Sequence, residues 1–199
     1  MHHNPTTLAS IGTASLVQQL QAIKEQRDGS FGYYYDVDAN ILFFSGSNEK
    51  SDWAVNLNFN PISFPYHQGY LNEANKMVED FSHVISHNKP LLVGHSGGGA
   101  VAAYIGQLEG CHVITFGAPK TYRHKLASNP KHQIHISQKG DCIARFGKGR
   151  HHDFCEELVI PGTQHSIDSY VTACAEYLPS VFLEINTPSS ISQIEPTRD

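Results

Sequence analysis

The chain has 199 residues, enough for one domain that buries roughly 70% of its unfolded surface without needing disulfides or a metal. Lysine and arginine total 14 against 19 aspartates and glutamates, a formal net charge of −5. That balance, with no basic run, argues against nucleic acid as a partner and against binding to anionic membranes through bulk charge. Four cysteines, Cys111, Cys142, Cys155 and Cys174, form no CxxC pair and read as reduced, with Cys111 and Cys174 in apolar stretches fit for a core. The 13 histidines are scattered, without HExxH or paired Cys/His spacing. His151, His152 and Cys155 read as a chance grouping, so no metal and no organic cofactor is expected.

Residues 1–12 are polar and broken by Pro5, unlike a signal peptide. No apolar stretch approaches the roughly 20 residues that span a bilayer. The default expectation is a cytoplasmic protein with no transmembrane segment, and export without a cleaved signal leaves no mark in such a sequence.

In chain order, Leu16, Leu20 and Ile23 recur at helical spacing and predict an amphipathic helix over 14–25. Two β-rich runs follow, 31–37 and 41–44, joined by a tight connection at Asp38-Ala39-Asn40. Residues 46–65 are polar, aromatic and interrupted by proline, which predicts a loop. Ala74, Met77, Val78, Phe81, Val84 and Ile85 share one face of a long helix over 72–87. Pro90 ends it and opens the apolar run Leu91-Leu92-Val93, typical of a strand buried on both faces. A small-residue helix over 97–108 follows, then strands at 113–116 and 134–136 and a last helix over 166–177. Strands alternating with helices imply crossover connections and a mostly parallel sheet. The expected organisation is a single domain over 1–185 and a flexible tail over 186–199 rich in proline, serine and mixed charge.

Gly94-His95-Ser96-Gly97-Gly98 matches G-x-S-x-G, the strand-to-helix elbow of α/β-hydrolases. A serine that attacks a carbonyl carbon must stand clear of the chain, and a sharp turn achieves this at the cost of backbone strain. Glycines two residues before and two after spare the turn the Cβ atoms that would clash, and the backbone N–H groups at the helix start can stabilise an oxyanion. The apolar strand before and the small-residue helix after supply the context the motif requires. A phosphate loop would need Gly-Lys-Ser/Thr after the glycines, where this chain has Gly99-Ala100-Val101.

An acid and a base must then follow Ser96 in the order Ser, Asp or Glu, His. Asp141 fits best as the acid, after the strand at 134–136 and the turn Lys139-Gly140; Asp153 is the alternative and Asp168 a third. His165 fits best as the base, in the polar connection Gly162-Thr163-Gln164 before the last helix. His151 and His152 are alternatives, while His112, His132 and His135 lie in or beside strands and read as structural. His95 sits inside the elbow, where its ring cannot turn back to take the Ser96 proton.

Taken together these residues resemble the class 3 (fungal-type) lipase family of α/β-hydrolases. Phe44-Ser45-Gly46-Ser47 and Asp52-Trp53 stand where that family has F-R-G-T/S and an Asp-Trp pair. His67-Gln68-Gly69-Tyr70 is similar to H-x-G-F, Gly94 to Ala100 to G-H-S-L-G-G-A, and Thr115 to Pro119 to T-F-G-x-P. Asp141 to Phe146 is similar to D-x-V-P-R-L, and His165 to Tyr170 to an H-x-x-x-x-Y ending. The likeness runs in order over residues 31–178. It implies a three-layer α/β-hydrolase sandwich with a mostly parallel sheet flanked by helices. It also implies a triad of Ser96, Asp141 and His165, an oxyanion hole from Gly97 and Ser47, and hydrolysis of carboxylic esters through an acyl-enzyme. Two departures stand out: Ser45 replaces the family's arginine, removing a charge that steadies its loop, and Ala144 replaces the usual proline, which implies a less rigid acid loop. The chain is short for the family, so a long lid is not expected.

The substrate class follows less directly. Trp53, Leu57, Phe59, Ile62, Phe64 and Tyr66 make an apolar, aromatic stretch beside Ser47 that suits either an acyl-chain wall or ordinary packing over the sheet. Trp53 and His95 are the expected substrate contacts. Acylglycerol, phospholipid and small soluble esters remain open, with transient contact to a membrane or micelle surface in the first two cases. A binding protein without activity on the same scaffold is the other class, and the intact serine, aspartate and histidine argue against it.

Overall fold

A computed structural model describes residues 8–25, 32–46, 68–120, 133–145, 155–178 and 182–186. The apolar runs of the sequence form a six-stranded sheet from β2 (Gly32–Asp36), β3 (Ile41–Ser45), β4 (Leu91–His95), β5 (Val113–Phe116), β6 (Gln133–Gln138) and β7 (Cys155–Ile160), in that spatial order. β2 pairs antiparallel with β3, and every later pair is parallel. Parallel neighbours need crossovers that cover both faces, so β3, β4 and β5 are buried at every position.

Alternation along each strand assigns the two cores. Ile41, Phe43, Leu91, Val93, Ile114, Phe116, Ile136 and Ile160 meet Leu16, Val17 and Leu20 of helix α1 (Thr13–Glu25) and Ile167, Tyr170, Ala173 and Cys174 of the last helix. Leu42, Phe44, Leu92 and Val113 point the other way, onto helix α2 (Gln68–Asp80) and helix α3 (Ser96–Glu109). The last helix, α4, spans Ile167–Tyr177 and packs beside α1. The result is a three-layer α/β sandwich with a mostly parallel sheet flanked by helices. All ten residues from Gly97 to Gly106 of α3 are buried, because alanine and glycine let that helix lie close on the sheet. Cys111 and Cys174 are buried thiols, one in each core.

The β2–β3 hairpin closes through the Asp36 carboxylate, which accepts from Ala39 N at 3.0 Å, and through Asn40 at φ 53°. The Asn40 side chain bonds Asn88 O at 3.0 Å and accepts from the Tyr35 hydroxyl at 2.8 Å. Asn88 Nδ2 donates to that same hydroxyl at 3.1 Å, so three side chains pin the hairpin to the entrance of β4.

Three expectations change. The long helix over 72–87 is not continuous: α2 ends at Asp80 and a π-helical turn occupies Val84–Asn88, capped by Lys89 at φ 44°. The wider turn seats Ile85 in the core and brings Asn88 to the hairpin. β7 was not foreseen, because it is an edge strand with Glu156, Glu157 and Val159 exposed and Ile160 buried. Strands β1 (Leu8–Gly12) and β8 (Phe182–Asn186) pair antiparallel into a separate ribbon, in segments read as polar N-terminus and end of domain. Of the tail expected over 186–199, Asn186 ends β8, and residues 187–199 lie outside the described residues, as does most of the loop expected over 46–65. Among the described residues no helix is long and apolar enough to cross a membrane.

Candidate active site

The chain passes directly from β4 to α3 at Ser96, whose φ is 55° in the left-handed region that serine rarely adopts. The close approach at this corner explains its glycines. A Cβ on Gly94 would lie 2.6 Å from Gly98 O and Gly99 Cα, and one on Gly98 would run into the backbone of Phe44 at the end of β3. Neither set of contacts can move aside, since all are backbone. Gly97 follows in the first turn of α3, where the amide N–H groups have no partner within the helix.

Ser96 Oγ lies 2.7 Å from His165 Nε2, and His165 Nδ1 lies 2.8 Å from Asp141 Oδ2 and 3.0 Å from Oδ1. The structure thus brings together the three residues chosen from sequence, from three separate segments. Such a chain lets the imidazole accept a proton from the serine while the carboxylate fixes its tautomer and stabilises the imidazolium. His165 is half-buried and Asp141 fully buried.

A fully buried carboxylate needs its lone pairs satisfied. Besides His165, Asp141 accepts from Ile143 N at 2.8 Å, from Ala144 N at 3.2 Å and from the Tyr170 hydroxyl at 2.6 Å. Burial alone would push this carboxyl up. The bond and charge of His165, with the hydrogen bonds from Tyr170 and Ala144 N, outweigh burial and hold it below the ordinary carboxylate range. Ala144 bears on a departure noted above. The resemblance implied a looser loop where proline is replaced, yet the replacement supplies an N–H that proline lacks, and Asp141 uses it. Ser45, in place of the arginine, also finds work: its hydroxyl accepts from Gly32 N at 3.0 Å and donates to Gly32 O at 3.1 Å, locking β2 to β3.

Tyr170 is the residue that sequence reading passed over, although it closed the quoted H-x-x-x-x-Y pattern. Its hydroxyl donates to Asp141 and accepts from Gln138 N at 3.0 Å, and its ring meets Phe116 and His95 edge-on. Burial and the adjacent Asp141 charge push the phenol well above its usual range, so it stays a donor. A Cβ on Gly117 would lie 2.9 Å from both Asp141 Oδ2 and the Tyr170 hydroxyl, which gives the glycine of T-F-G-A-P its reason. Gln138 was also missed. Buried at the end of β6, it bonds Ser169 Oγ at 2.7 Å and accepts from Gln164 N at 3.2 Å, which ties down the loop that carries His165. Five-residue spacing from His165 to a tyrosine in the helix that follows could have flagged Tyr170. Nothing local flags Gln138.

His95 was expected to touch substrate. The structure places it elsewhere: it is 3% exposed, on the sheet face covered by α1 and α4, with its ring stacked on His165 at 5.1 Å between centroids. Its Nε2 donates to His165 O at 3.0 Å. Of the alternatives, Asp168 is exposed on α4 beside Gln21. His112 and His135 lie at and within strands β5 and β6, with His135 Nδ1 bonded to Thr115 Oγ1. Ser47, Trp53, Asp153, His132, His151 and His152 lie outside the described residues, as does the apolar stretch from Trp53 to Tyr66. Among the described residues no three His, Cys, Asp or Glu side chains gather as metal ligands.

No family model matches the sequence, and no curated protein matches it closely enough to count. Solved structures of similar shape include the lipase of Rhizopus microsporus var. chinensis, 16% identical over 72% of this chain and 73% of its own, with a TM-score of 0.46. A nonglycosylated lipase of Yarrowia lipolytica is 13% identical over 80% of this chain and 84% of its own, at TM-score 0.49. A triacylglycerol lipase of Penicillium expansum is 14% identical over 78% and 83%, at TM-score 0.44. Likeness at that level decides neither the substrate nor the reaction.

Proposed function

We propose that this protein hydrolyses carboxylic esters by acyl transfer to water. One observation carries the reading: a strained serine at a strand-to-helix turn, 2.7 Å from a histidine that is itself 2.8 Å from a fully buried aspartate. In this reading Ser96 Oγ attacks the ester carbonyl as His165 takes its proton and Asp141 steadies the imidazolium. The backbone N–H of Gly97, with Ser47 as its partner, receives the oxyanion. His165 returns the proton to the departing alcohol, then takes one from the water that opens the acyl-enzyme. The scheme calls on no metal or organic cofactor.

The finer reading is that the esters are lipid esters, acylglycerol or phospholipid. It is supported by the apolar residues from Trp53 to Tyr66, next in sequence to Ser47. An indole over an acyl chain would add binding in proportion to the apolar area covered, about 25 cal/mol per Å².

The test has two parts. A fluorophosphonate probe should label the wild-type chain and not Ser96→Ala, and that substitution should lower ester turnover by at least about 10⁴ with the fold intact. A folded Ser96→Ala protein with near-normal turnover removes the assignment. A panel of esters of graded chain length, with phospholipids included, then reads the substrate class: kcat/KM rising with acyl length supports lipid esters, and a preference for acetyl esters rejects them.

A further inference from the structure

We propose that His95 is a positioning residue of this site: its Nε2–H holds the main-chain carbonyl of His165 and so keeps the base aligned between Ser96 and Asp141. The inference rests on the hydrolase reading above, and it concerns a residue that neither transfers the proton nor touches substrate.

The loop from Gly162 to Gln164 is exposed, and a base mounted on it must be held by its neighbours. Gly140 N donates to Gly162 O at 2.8 Å and Gln164 N to the Gln138 side chain at 3.2 Å. Both ties stop short of His165. The third, from His95 Nε2 to His165 O at 3.0 Å, is made to the base's own main chain. It starts from the last residue of β4, next to Ser96, so one residue fixes the distance between the nucleophile's turn and the histidine's loop.

The chemistry of the ring supports a purpose for it. Donation from Nε2 leaves Nδ1 as an acceptor, and among the described residues no donor reaches that buried atom. A buried polar atom without a partner is unfavourable, and a phenyl ring would fill the same space without one. What the imidazole provides in exchange is the bond to His165. Its protonation is suppressed as well: burial, with the nearby His165 and Lys24, pushes it down to about 3. Above that range a neutral ring lies stacked 28° from parallel against His165, so it neither competes for the Ser96 proton nor opposes the imidazolium with a charge.

The experiment uses the full chain and three substitutions. His95→Gln can place an amide N–H where Nε2 stands, His95→Asn is too short to reach, and His95→Phe keeps the ring and loses the donor. Each is measured for kcat and KM on one soluble ester. The downfield proton resonance of the His165 Nδ1–H in its bond to Asp141 is followed as well, identified by its loss in His165→Gln. His95→Phe and His95→Asn should lose about 10- to 100-fold in kcat with KM changed little, as expected for a base displaced by a fraction of an ångström. Their Nδ1–H resonance should broaden through faster exchange. His95→Gln should recover most of kcat and a sharp resonance. If His95→Phe folds as an unstable protein, the Gln and Asn pair still decides the matter. Equal activity and equal resonances in that pair overturn the proposal, as does a His95→Phe enzyme with unchanged kcat and resonance. Failure of the hydrolase reading looks different: the wild-type chain turns over no ester and takes up no probe. The resonances of the variants then still report whether His95 holds His165.

Discussion

The serine half of the candidate site and its acid–base half are held by different physics. At the elbow, position comes from backbone crowding: β4 turns into α3 with Ser96 in the left-handed region, and Gly94 and Gly98 touch main chain where any Cβ would collide. Sequence neighbours crowd Gly94, and the end of β3 crowds Gly98. Across from it, Asp141 and His165 come from segments that share no strand or helix, and side-chain hydrogen bonds hold them: Tyr170 to Asp141, Gln138 to the His165 loop, His95 to the His165 carbonyl. Steric control tolerates no added atom, whereas a network of bonds loses strength one member at a time.

The largest effect should come from the network's central charge. Asp141→Asn keeps the shape and leaves His165 in the wrong tautomer, so kcat should fall about 10⁴-fold, or about 5.5 kcal/mol of transition-state stabilisation, by analogy with serine proteases. Asp168→Asn, on the exposed face of α4, should stay close to wild type. Kinetics of the two proteins side by side check this, and a mild Asp141→Asn would move the acid to another segment.

A break in the steric half should read differently. Gly94→Ala places a methyl 2.6 Å from Gly98 O and Gly99 Cα, so the β4–α3 corner must open. Overpacking of this kind costs about 1–3 kcal/mol or more, which lowers Tm by several degrees in a chain of this size. Thermal melts should show Gly94→Ala destabilised while Asp141→Asn changes activity far more than Tm. A Gly94→Ala protein of wild-type stability would mean that the corner is looser than its contacts imply.

The smallest effect belongs to a peripheral member of the network. Tyr170→Phe removes one of the donors to Asp141 and leaves His165, Ile143 N and Ala144 N in place. A hydrogen bond to a charged group contributes about 1.5–3 kcal/mol, and the remaining donors absorb part of that loss. The expected result is a decrease of about tenfold in kcat with KM little changed. A loss as large as that of Asp141→Asn would make Tyr170 as necessary as the acid it supports.

Much of this was legible beforehand, for reasons that differ by element. Leu91-Leu92-Val93 and Val113 to Phe116 could be assigned as strands because continuous apolar runs suit burial on both faces. Ser96 could be assigned because its motif and flanking elements are all local. β7 escaped because Glu156 and Glu157 face solvent at an edge, so its apolar signal is half strength. The broken helix over 72–87 escaped because a π turn changes the pitch without changing which residue types face the core.

The resemblance, more than any local signal, implied Asp141 and His165 as members of one set; what the sequence determined by itself is the layered α/β order and the elbow with its serine. Periodicity and motif spacing act over a few residues, and those features are written at that range. Only the tertiary structure decided that β1 and β8 pair although more than 160 residues separate them. Only it showed Gln138 and Tyr170 bracing the acid and the base, and His95 turned from the expected substrate contact toward the back of His165. A hydrogen bond between distant segments requires only that each residue be polar, so its partner leaves no periodic trace in the chain.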